Sequence, residues 1–122
     1  MVRMLVADDA SFMRMMIREI VEDEGYEIVG EASDGLEAIA MYGDLHPDIV
    51  TMDIVMPRCS GIDAVRKITS LDPGAAIVMC SALGQDSLIA ESVKAGAKDF
   101  IVKPFRPEEV LAKLGPILKP ES

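Results

Sequence analysis

Five short apolar runs alternate with five amphipathic stretches along this chain of 122 residues. The apolar runs are rich in Val and Ile on both faces, which is typical of parallel strands covered by helices on both sides. The predicted strands are residues 3–7, 27–32, 48–53, 75–81 and 98–102, and the predicted helices are residues 11–24, 35–43, 61–71, 86–95 and 107–114. Helices supply the crossovers that parallel strands need. The pattern therefore predicts a single α/β domain, residues 1–122, built as a doubly wound sheet from five βα units.

The charge of the chain limits its partners. Acidic residues outnumber basic ones, 21 against 12, which gives a formal net charge of −9. Because an acidic surface is repelled by a phosphate backbone, we expect no nucleic-acid partner. The chain shows no signal-peptide pattern and no apolar run long enough to span a bilayer, so we expect a cytoplasmic protein without membrane contact.

Few residues of this chain suit a histidine or thiolate site. Cys59 and Cys80 stand alone without CxxC spacing, and we interpret both as reduced thiols rather than metal ligands. His46 is the one histidine of the chain, and its place before a proline is typical of a solvated loop residue. Histidine metal sites and Ser/His/Asp triads are therefore hard to build from this sequence.

The first predicted helix carries an apolar stripe with i, i+3, i+4, i+7 spacing, which we expect to face the sheet. The members of this stripe are Met13, Met16, Ile17 and Ile20. We expect Ser11, or Asp9 just before it, to cap the N-terminus of the helix. Phe12 and Met15 fall outside the stripe; they are either ordinary exposed apolar residues or a docking patch on one helix face.

The last predicted helix, 107–114, is followed directly by Gly115-Pro116. Proline inside a helix removes one backbone hydrogen bond and crowds the preceding turn, so we expect the helix to end or kink at this dipeptide. Ile117 and Leu118 then form either a short packed tail or a frayed one.

Five polar residues follow the predicted strands at their carboxyl ends, where doubly wound sheets bind their ligands. They are Asp8, Asp9, Asp53, Ser81 and Lys103. Three carboxylates at one edge repel one another, and an oxygen-only set of ligands suits Mg²⁺. A metal ion together with Lys103 offers the positive charge that phosphoryl transfer requires. Asp53 is then the attacking carboxylate, and Ser81 is a hydrogen-bond donor to a phosphoryl oxygen.

Four segments of the sequence resemble the receiver domains of two-component response regulators. They are "VADDASFMR" (6–14), "TMDIVMP" (51–57) with Gly61 after it, "CSA" (80–82) and "KDFIVKPF" (98–105). The similarity covers roughly residues 2–114, so we expect no separate output domain, and it is greatest to the stand-alone chemotaxis regulators of the family. It implies a flavodoxin-like (βα)5 fold with a five-stranded parallel sheet in the order 2-1-3-4-5.

The resemblance also implies roles for individual residues. It implies that Asp53 is the phosphoacceptor and that Lys103 pairs with the phosphoryl group, with a cis peptide bond between Lys103 and Pro104. The implied Mg²⁺ ligands are Asp8, Asp9, Asp53 and the backbone carbonyl of Val55. Ser81 occupies the hydroxyl switch position and Phe100 the aromatic switch position. On phosphorylation, Ser81 is expected to move toward the phosphoryl group and Phe100 to turn inward.

The implied partners follow from the same resemblance. A CheA-like sensor histidine kinase would donate the phosphoryl group, and the phosphorylated protein would bind a motility motor switch or an adaptor protein. The protein would act as a monomer and catalyse only its own Mg²⁺-dependent phosphorylation and dephosphorylation. Val55 and Leu83 are apolar at positions where fast-hydrolysing relatives often carry an amide and an acid. Water would then be poorly placed for attack, so we expect a long-lived phosphoryl group cleared by a separate phosphatase.

Three other functions remain open at this stage. A phosphorelay intermediate would use the same site but pass the phosphoryl group to another histidine. A haloacid-dehalogenase-like phosphohydrolase also uses a nucleophilic Asp, Mg²⁺, Ser/Thr and Lys, but it needs a DxD motif and usually a cap domain. The third alternative is a receiver domain that belongs to a longer transcription regulator. Nucleotide or flavin binding is disfavoured because no Gly-rich phosphate loop follows the first strand.

Overall fold

A computed structural model describes residues 1–118 of the chain as one parallel five-stranded sheet with a helix after each strand. In chain order the elements are β1 (Arg3–Ala7), α1 (Ser11–Glu22), β2 (Glu27–Ala32), α2 (Gly35–Leu45), β3 (Ile49–Met52), α3 (Gly61–Leu71), β4 (Ile77–Ser81), α4 (Asp86–Ala95), β5 (Asp99–Val102) and α5 (Pro107–Leu118). The strand order is β2-β1-β3-β4-β5. This confirms the predicted doubly wound α/β fold and its 2-1-3-4-5 order.

The sheet has a hydrophobic core on each face. On one face, α2, α3 and α4 cover a cluster that includes Leu5 and Ala7 of β1; on the other, α1 and α5 cover a cluster that includes Met4 and Val6. Successive residues of a strand point to opposite faces, so both faces of β1 are buried. All residues of β3 and β4 are buried as well. Each large apolar side chain in these cores stabilises the fold by about 1.5–3 kcal/mol.

Three strands are shorter than predicted by one or two residues at one or both ends. The observed strands are Ile49–Met52, Ile77–Ser81 and Asp99–Val102. The hydrogen-bond ladder fades gradually at strand ends, which is why assigned bounds vary by this amount. The N–H of Asp53 still donates to the backbone oxygen of Ala7 at 3.0 Å. Asp53 is therefore tied to β1 although it lies just beyond β3.

The buried face of α1 differs from the predicted stripe. Ile17 and Val21 are buried, and Met13 and Ile20 pack against the same core, but the side chain of Met16 is 41% exposed. Neighbouring helix positions are about 100° apart, so Met16 cannot share a face centred on Ile17. The prediction that Met16 faces the sheet is wrong. The large apolar residues that α1 leaves exposed are Phe12, Met15 and Met16.

The N-terminus of α1 has no side-chain cap. Ala10 is the N-cap residue, so the predicted capping by Ser11 or Asp9 is wrong. The preceding residue, Asp8, stabilises this turn instead, because its Oδ1 accepts a hydrogen bond from the N–H of Ala10 at 2.9 Å. The turn into the helix is thus stabilised by the aspartate that closes the strand rather than by a cap inside the turn.

Two helices end at positions that the local sequence explains. α1 ends at Glu22, before a turn in which Gly25 has a φ of 85°. α2 extends two residues beyond the prediction to Leu45, and the exposed His46 closes it with a φ of 48°. Within residues 1–118, the structure has no helix that is long and apolar enough to cross a membrane.

The last helix continues through Gly115-Pro116 to Leu118, so the predicted end at residue 114 is wrong. A residue before proline is kept out of the helical region partly by its Cβ, which Gly115 lacks. The residues after Pro116 also favour a continued helix, because Ile117 and Leu118 pack against the core on the α1 side of the sheet. Burial of these two side chains offsets the hydrogen bond that Pro116 cannot donate.

Candidate metal centre

Three aspartates meet at the carboxyl edge of the sheet. Asp8 follows β1 and Asp53 follows β3, and these strands are adjacent with Ala7 paired to Met52. One carboxylate oxygen from each of Asp8, Asp9 and Asp53 lies within 4.8 Å of the other two. Asp8 and Asp53 are buried, whereas Asp9 is exposed. The structure thus brings together the three predicted acidic residues in one cluster with an open side.

Lys103 contacts two of these carboxylates. Its Nζ lies 2.7 Å from Oδ2 of Asp8 and 3.2 Å from Oδ2 of Asp53. The N–H of Lys103 donates to the backbone oxygen of Ser81 at 2.9 Å, and the peptide bond to Pro104 is cis, as expected. One ammonium among three carboxylates leaves the cluster negative, so a further cation is favoured there.

Burial and charge shift the pKa values of this cluster in ways that matter for metal binding. Burial raises the pKa of Asp53, and the nearby carboxylate of Asp8 raises it too, while Lys103 and the N–H of Ile54 act in the opposite direction. Burial lowers the pKa of Lys103, but its hydrogen bond to Asp8 and the charge of Asp53 outweigh that effect and raise it overall. Lys103 therefore stays an ammonium, and further positive charge near Asp53 would favour its ionised form.

The donor atoms fit a hard divalent cation. Asp8, Asp9 and Asp53 offer only oxygen, which is the ligand type of Mg²⁺, and the exposed side of Asp9 leaves space for water ligands. Val55 lies on the loop after β3 with its side chain exposed. Cys80 is a free, buried thiol whose pKa is raised to about 12 by burial, so it remains protonated at neutral pH. The cluster thus suits Mg²⁺ better than a thiolate-binding metal.

The loop between β3 and α3 packs directly against Asp53. The N–H of Gly61 donates to the backbone oxygen of Ile54 at 2.8 Å. A Cβ atom at position 61 would lie 1.8 Å from the backbone oxygen of Asp53, so only glycine fits there. On the same loop, Arg58 has a φ of 66° and its guanidinium contacts the carboxylate of Asp34 at 2.6 Å. Sequence reasoning noted Gly61 only as part of a motif and missed the Arg58–Asp34 pair.

The two residues predicted to form the switch lie on β4 and β5. Ser81 is buried, and its Oγ accepts a hydrogen bond from the N–H of Leu83 at 3.1 Å, which leaves its own proton available. The ring of Phe100 is 6% exposed and belongs to the core cluster covered by α2, α3 and α4. Phe100 is therefore buried in this core, and its predicted movement on phosphorylation stays a prediction.

Comparison with known proteins identifies the family. The family model described as "Response regulator receiver domain" matches residues 4–115 of this chain. Chemotaxis protein CheY of Thermotoga maritima is 54% identical over 117 residues, which are 96% of this chain and 98% of that protein. Chemotaxis protein CheY of Halobacterium salinarum is 45% identical over 116 residues, 95% of this chain and 96% of that protein.

Solved structures agree with the sequence comparison. The crystal structure of the CheX–CheY–BeF3–Mg²⁺ complex from Borrelia burgdorferi contains a chain 37% identical to this one, with a TM-score of 0.91. The match covers 93% of this chain and 86% of that chain. Receiver domains of this type are signalling proteins rather than classical enzymes. The chain therefore belongs to the response regulator receiver domain family, and within it to receivers of the CheY type.

Proposed function

We propose that residues 1–122 form a single receiver domain that accepts a phosphoryl group on Asp53 from a histidine kinase and thereby changes its partner binding in chemotaxis. One observation carries this proposal. Three carboxylate groups converge within 4.8 Å at the carboxyl edge of the sheet, and the ammonium of Lys103 contacts two of them. The match to CheY of Thermotoga maritima supports the single-domain part of the proposal, because it covers 98% of that protein.

The proposed Mg²⁺ ligands are the carboxylates of Asp8, Asp9 and Asp53 and the backbone carbonyl of Val55. Their support is the oxygen-only donor set and the net negative charge of the cluster. When bound there, Mg²⁺ supplies positive charge beside Asp53 and beside the oxygens of the incoming phosphoryl group. Burial raises the pKa of Asp53, so this added charge favours the ionised carboxylate that the reaction needs.

The proposed reaction moves one phosphoryl group between two side chains. A carboxylate oxygen of Asp53 attacks the phosphorus of a phosphohistidine, the P–O bond forms, and the P–N bond breaks. The electron pair of that bond returns to the imidazole, which takes up a proton. Lys103 is already beside Asp53 and pairs with a phosphoryl oxygen, while the free proton of Ser81 is donated to another. Hydrolysis by water returns Asp53 and releases inorganic phosphate.

The proposed output depends on Ser81 and Phe100. Phosphorylation adds about −1.5 to −2 charges at Asp53, which draws the Ser81 hydroxyl toward the new oxygens. Space beside β5 is then available to the ring of Phe100, which packs in the core covered by α2, α3 and α4, so phosphorylation would turn this ring further inward. Since Phe lacks a hydroxyl, burial of the ring alone stabilises that position.

The proposed partners are a CheA-like sensor histidine kinase, a motility motor switch or adaptor protein, and a separate phosphatase. The apolar Val55 and Leu83 support the need for a phosphatase, because neither side chain orients water for attack on the phosphoryl group. A related protein was crystallised with CheX. The net charge of −9 supports a monomeric protein that does not bind nucleic acid.

Mass spectrometry of the intact protein tests the phosphorylation site. We expect wild-type protein mixed with acetyl phosphate and Mg²⁺ to gain one phosphate and to gain none when EDTA replaces Mg²⁺. Asp53→Asn should gain none, whereas Asp44→Asn, which changes an exposed aspartate of α2, should behave as wild type. Uptake by Asp53→Asn equal to that of wild type would refute the proposed site.

Binding measurements separate this function from a phosphorelay carrier. The phosphorylated protein should bind a motor switch or adaptor component more tightly than the unphosphorylated protein does. Transfer of its phosphoryl group to a histidine phosphotransfer domain, with no such change in motor binding, would favour the phosphorelay function instead.

A further inference from the structure

One guanidinium holds the turn between β1 and α1. Arg14 lies in the first turn of α1, and its side chain is only 17% exposed. Its Nη1 donates to the backbone oxygen of Asp8, and its Nε donates to Oε1 of Glu31 on β2 at 3.0 Å. A single side chain therefore connects the carbonyl of an acidic site residue to the neighbouring strand.

The contact with Arg14 completes the restraint of Asp8. The N–H of Asp8 donates to the backbone oxygen of Ala32 at 2.9 Å, Oδ1 accepts from the N–H of Ala10, and Oδ2 accepts from Lys103. The remaining polar group of Asp8 is its carbonyl, which Arg14 holds. That carbonyl belongs to the peptide unit leading into Asp9. Arg14 therefore limits rotation of this peptide unit, and with it the direction in which the exposed Asp9 side chain leaves the backbone.

Glu31 provides a rigid anchor for Arg14. The other carboxylate oxygen of Glu31 accepts a hydrogen bond from Nη2 of Arg18, one helical turn further along α1. Hydrogen bonds from Arg18 and then Arg14 lower the pKa of Glu31 against the effect of burial, so Glu31 is ionised at neutral pH. Residue 31 also lies within the β1–β2 ladder, opposite Val6. The anchor is thus part of the sheet rather than of a loop.

We propose that Arg14 is a positioning residue for the Mg²⁺ site: it orients the Asp8–Asp9 peptide so that both carboxylates can reach one ion. This inference rests on the proposed function, because it assumes that Mg²⁺ binds the acidic cluster. Simple electrostatics predicts the opposite effect of removing Arg14, since loss of a nearby positive charge would strengthen cation binding. The sign of the change in Mg²⁺ affinity therefore separates positioning from charge.

Titration calorimetry of the unphosphorylated protein with Mg²⁺ tests this role without any phosphorylation step. We expect Arg14→Gln to bind Mg²⁺ about tenfold more weakly than wild type, the effect typical of losing a residue that supports metal ligands. Arg18→Gln is the matched control: it removes the same charge from the same helix and the same partner, Glu31, but no contact with Asp8. Its Mg²⁺ affinity should stay close to that of wild type.

Three outcomes would overturn the inference. Arg14→Gln binding Mg²⁺ as tightly as wild type, or more tightly, would refute the positioning role while leaving the proposed function intact. An equal loss of affinity in Arg14→Gln and Arg18→Gln would assign the effect to the charge cluster rather than to the Asp8 contact. A wild-type protein with no Mg²⁺ affinity would refute the proposed function and, with it, the role of Arg14.

A second variant covers the case in which Arg14→Gln does not fold. Arg14→Lys keeps the charge, but one ammonium cannot reproduce the planar fork that reaches both the Asp8 carbonyl and Glu31. We expect its Mg²⁺ affinity to fall as well, and wild-type affinity in this variant would contradict the proposal. Urea unfolding in EDTA measures stability separately, so a loss of stability without a change in Mg²⁺ affinity would identify Arg14 as merely structural.

Discussion

Replacement of Gly61 by alanine tests how tightly the loop after β3 packs on the site. The added methyl carbon would lie 1.8 Å from the backbone oxygen of Asp53 and 2.7 Å from its carbonyl carbon. A carbon and a carbonyl oxygen normally stay about 3.3 Å apart even in close contacts. The loop must therefore move away from Asp53 by more than 1 Å, or the loop and the backbone of Asp53 must each move by about half of that distance. Both obstructing atoms belong to the backbone, so no side-chain rotation can relieve the clash.

The expected cost follows from three contributions. Overpacking of a well-packed site costs about 1–3 kcal/mol, and a backbone clash belongs at the upper end of that range. Movement of the loop also weakens the 2.8 Å hydrogen bond from Gly61 to Ile54, worth about 1 kcal/mol. Alanine restricts the unfolded chain more than glycine does, which returns about 0.4–1 kcal/mol. We therefore expect Gly61→Ala to lower the free energy of unfolding by about 3 kcal/mol.

Urea unfolding provides the assay, and Gly43→Ala provides the matched control. Gly43 is an exposed residue of α2, and a Cβ at this position would meet no atom within 4 Å. The same chemical change there should raise the free energy of unfolding by about 0.5–1 kcal/mol, because alanine favours a helix over glycine. Gly61→Ala should also take up phosphate from acetyl phosphate more slowly, since Asp53 is displaced. Equal stability of the two variants would refute the reasoning.

Four further predictions follow from contacts elsewhere. Thr51→Val should raise the free energy of unfolding by about 1 kcal/mol, because Oγ1 of Thr51 is buried without a hydrogen-bond partner in residues 1–118; a loss of stability in urea would contradict this. Asp53→Asn should stabilise the protein in EDTA at neutral pH, since burial and a neighbouring carboxylate oppose its ionised form, and the gain should vanish when Mg²⁺ is added. Phe100→Ala should lower stability by about 3 kcal/mol and still accept phosphate, but bind the output partner poorly, so normal binding would exclude Phe100 from the switch. Finally, the pKa of Glu31 is lowered by folding, so its stabilising contribution is present above its unfolded pKa and is lost as pH falls through the folded value. Wild type should therefore lose more stability on acidification than Glu31→Gln in thermal unfolding at a series of pH values.

The secondary structure was largely predictable because parallel strands leave a strong local pattern. Buried strands are apolar on both faces, and turns between them carry Gly, Pro and Asp. The errors arose where two local patterns competed. Met16 lies three residues after Met13 and Val21 lies four residues after Ile17, so both fit a helical repeat, and periodicity alone does not say which stripe faces the sheet. Pro116 is a local helix breaker, but the burial of neighbouring side chains overrides it.

The site residues at the strand ends were also predictable, and their supporting contacts were not. Asp53 and Lys103 follow strands, and the carboxyl ends of parallel strands share one edge. Arg14, however, reaches Glu31 across 17 residues of sequence, and Arg58 reaches Asp34 across 24. Neither pair follows a helical or strand repeat, so no local signal indicates it. Their discovery required the tertiary structure.

The sequence by itself determined the order of strands and helices and the set of groups available at the edge of the sheet. It did so because burial patterns and backbone preferences act within a few residues of the chain. Only the tertiary structure decided which of these groups touch: the 4.8 Å cluster of carboxylates, the bridge from Lys103 to two of them, and the hold of Arg14 on Asp8. Electrostatic energies and hydrogen bonds depend on distances through space, and those distances arise from how the helices pack on the sheet.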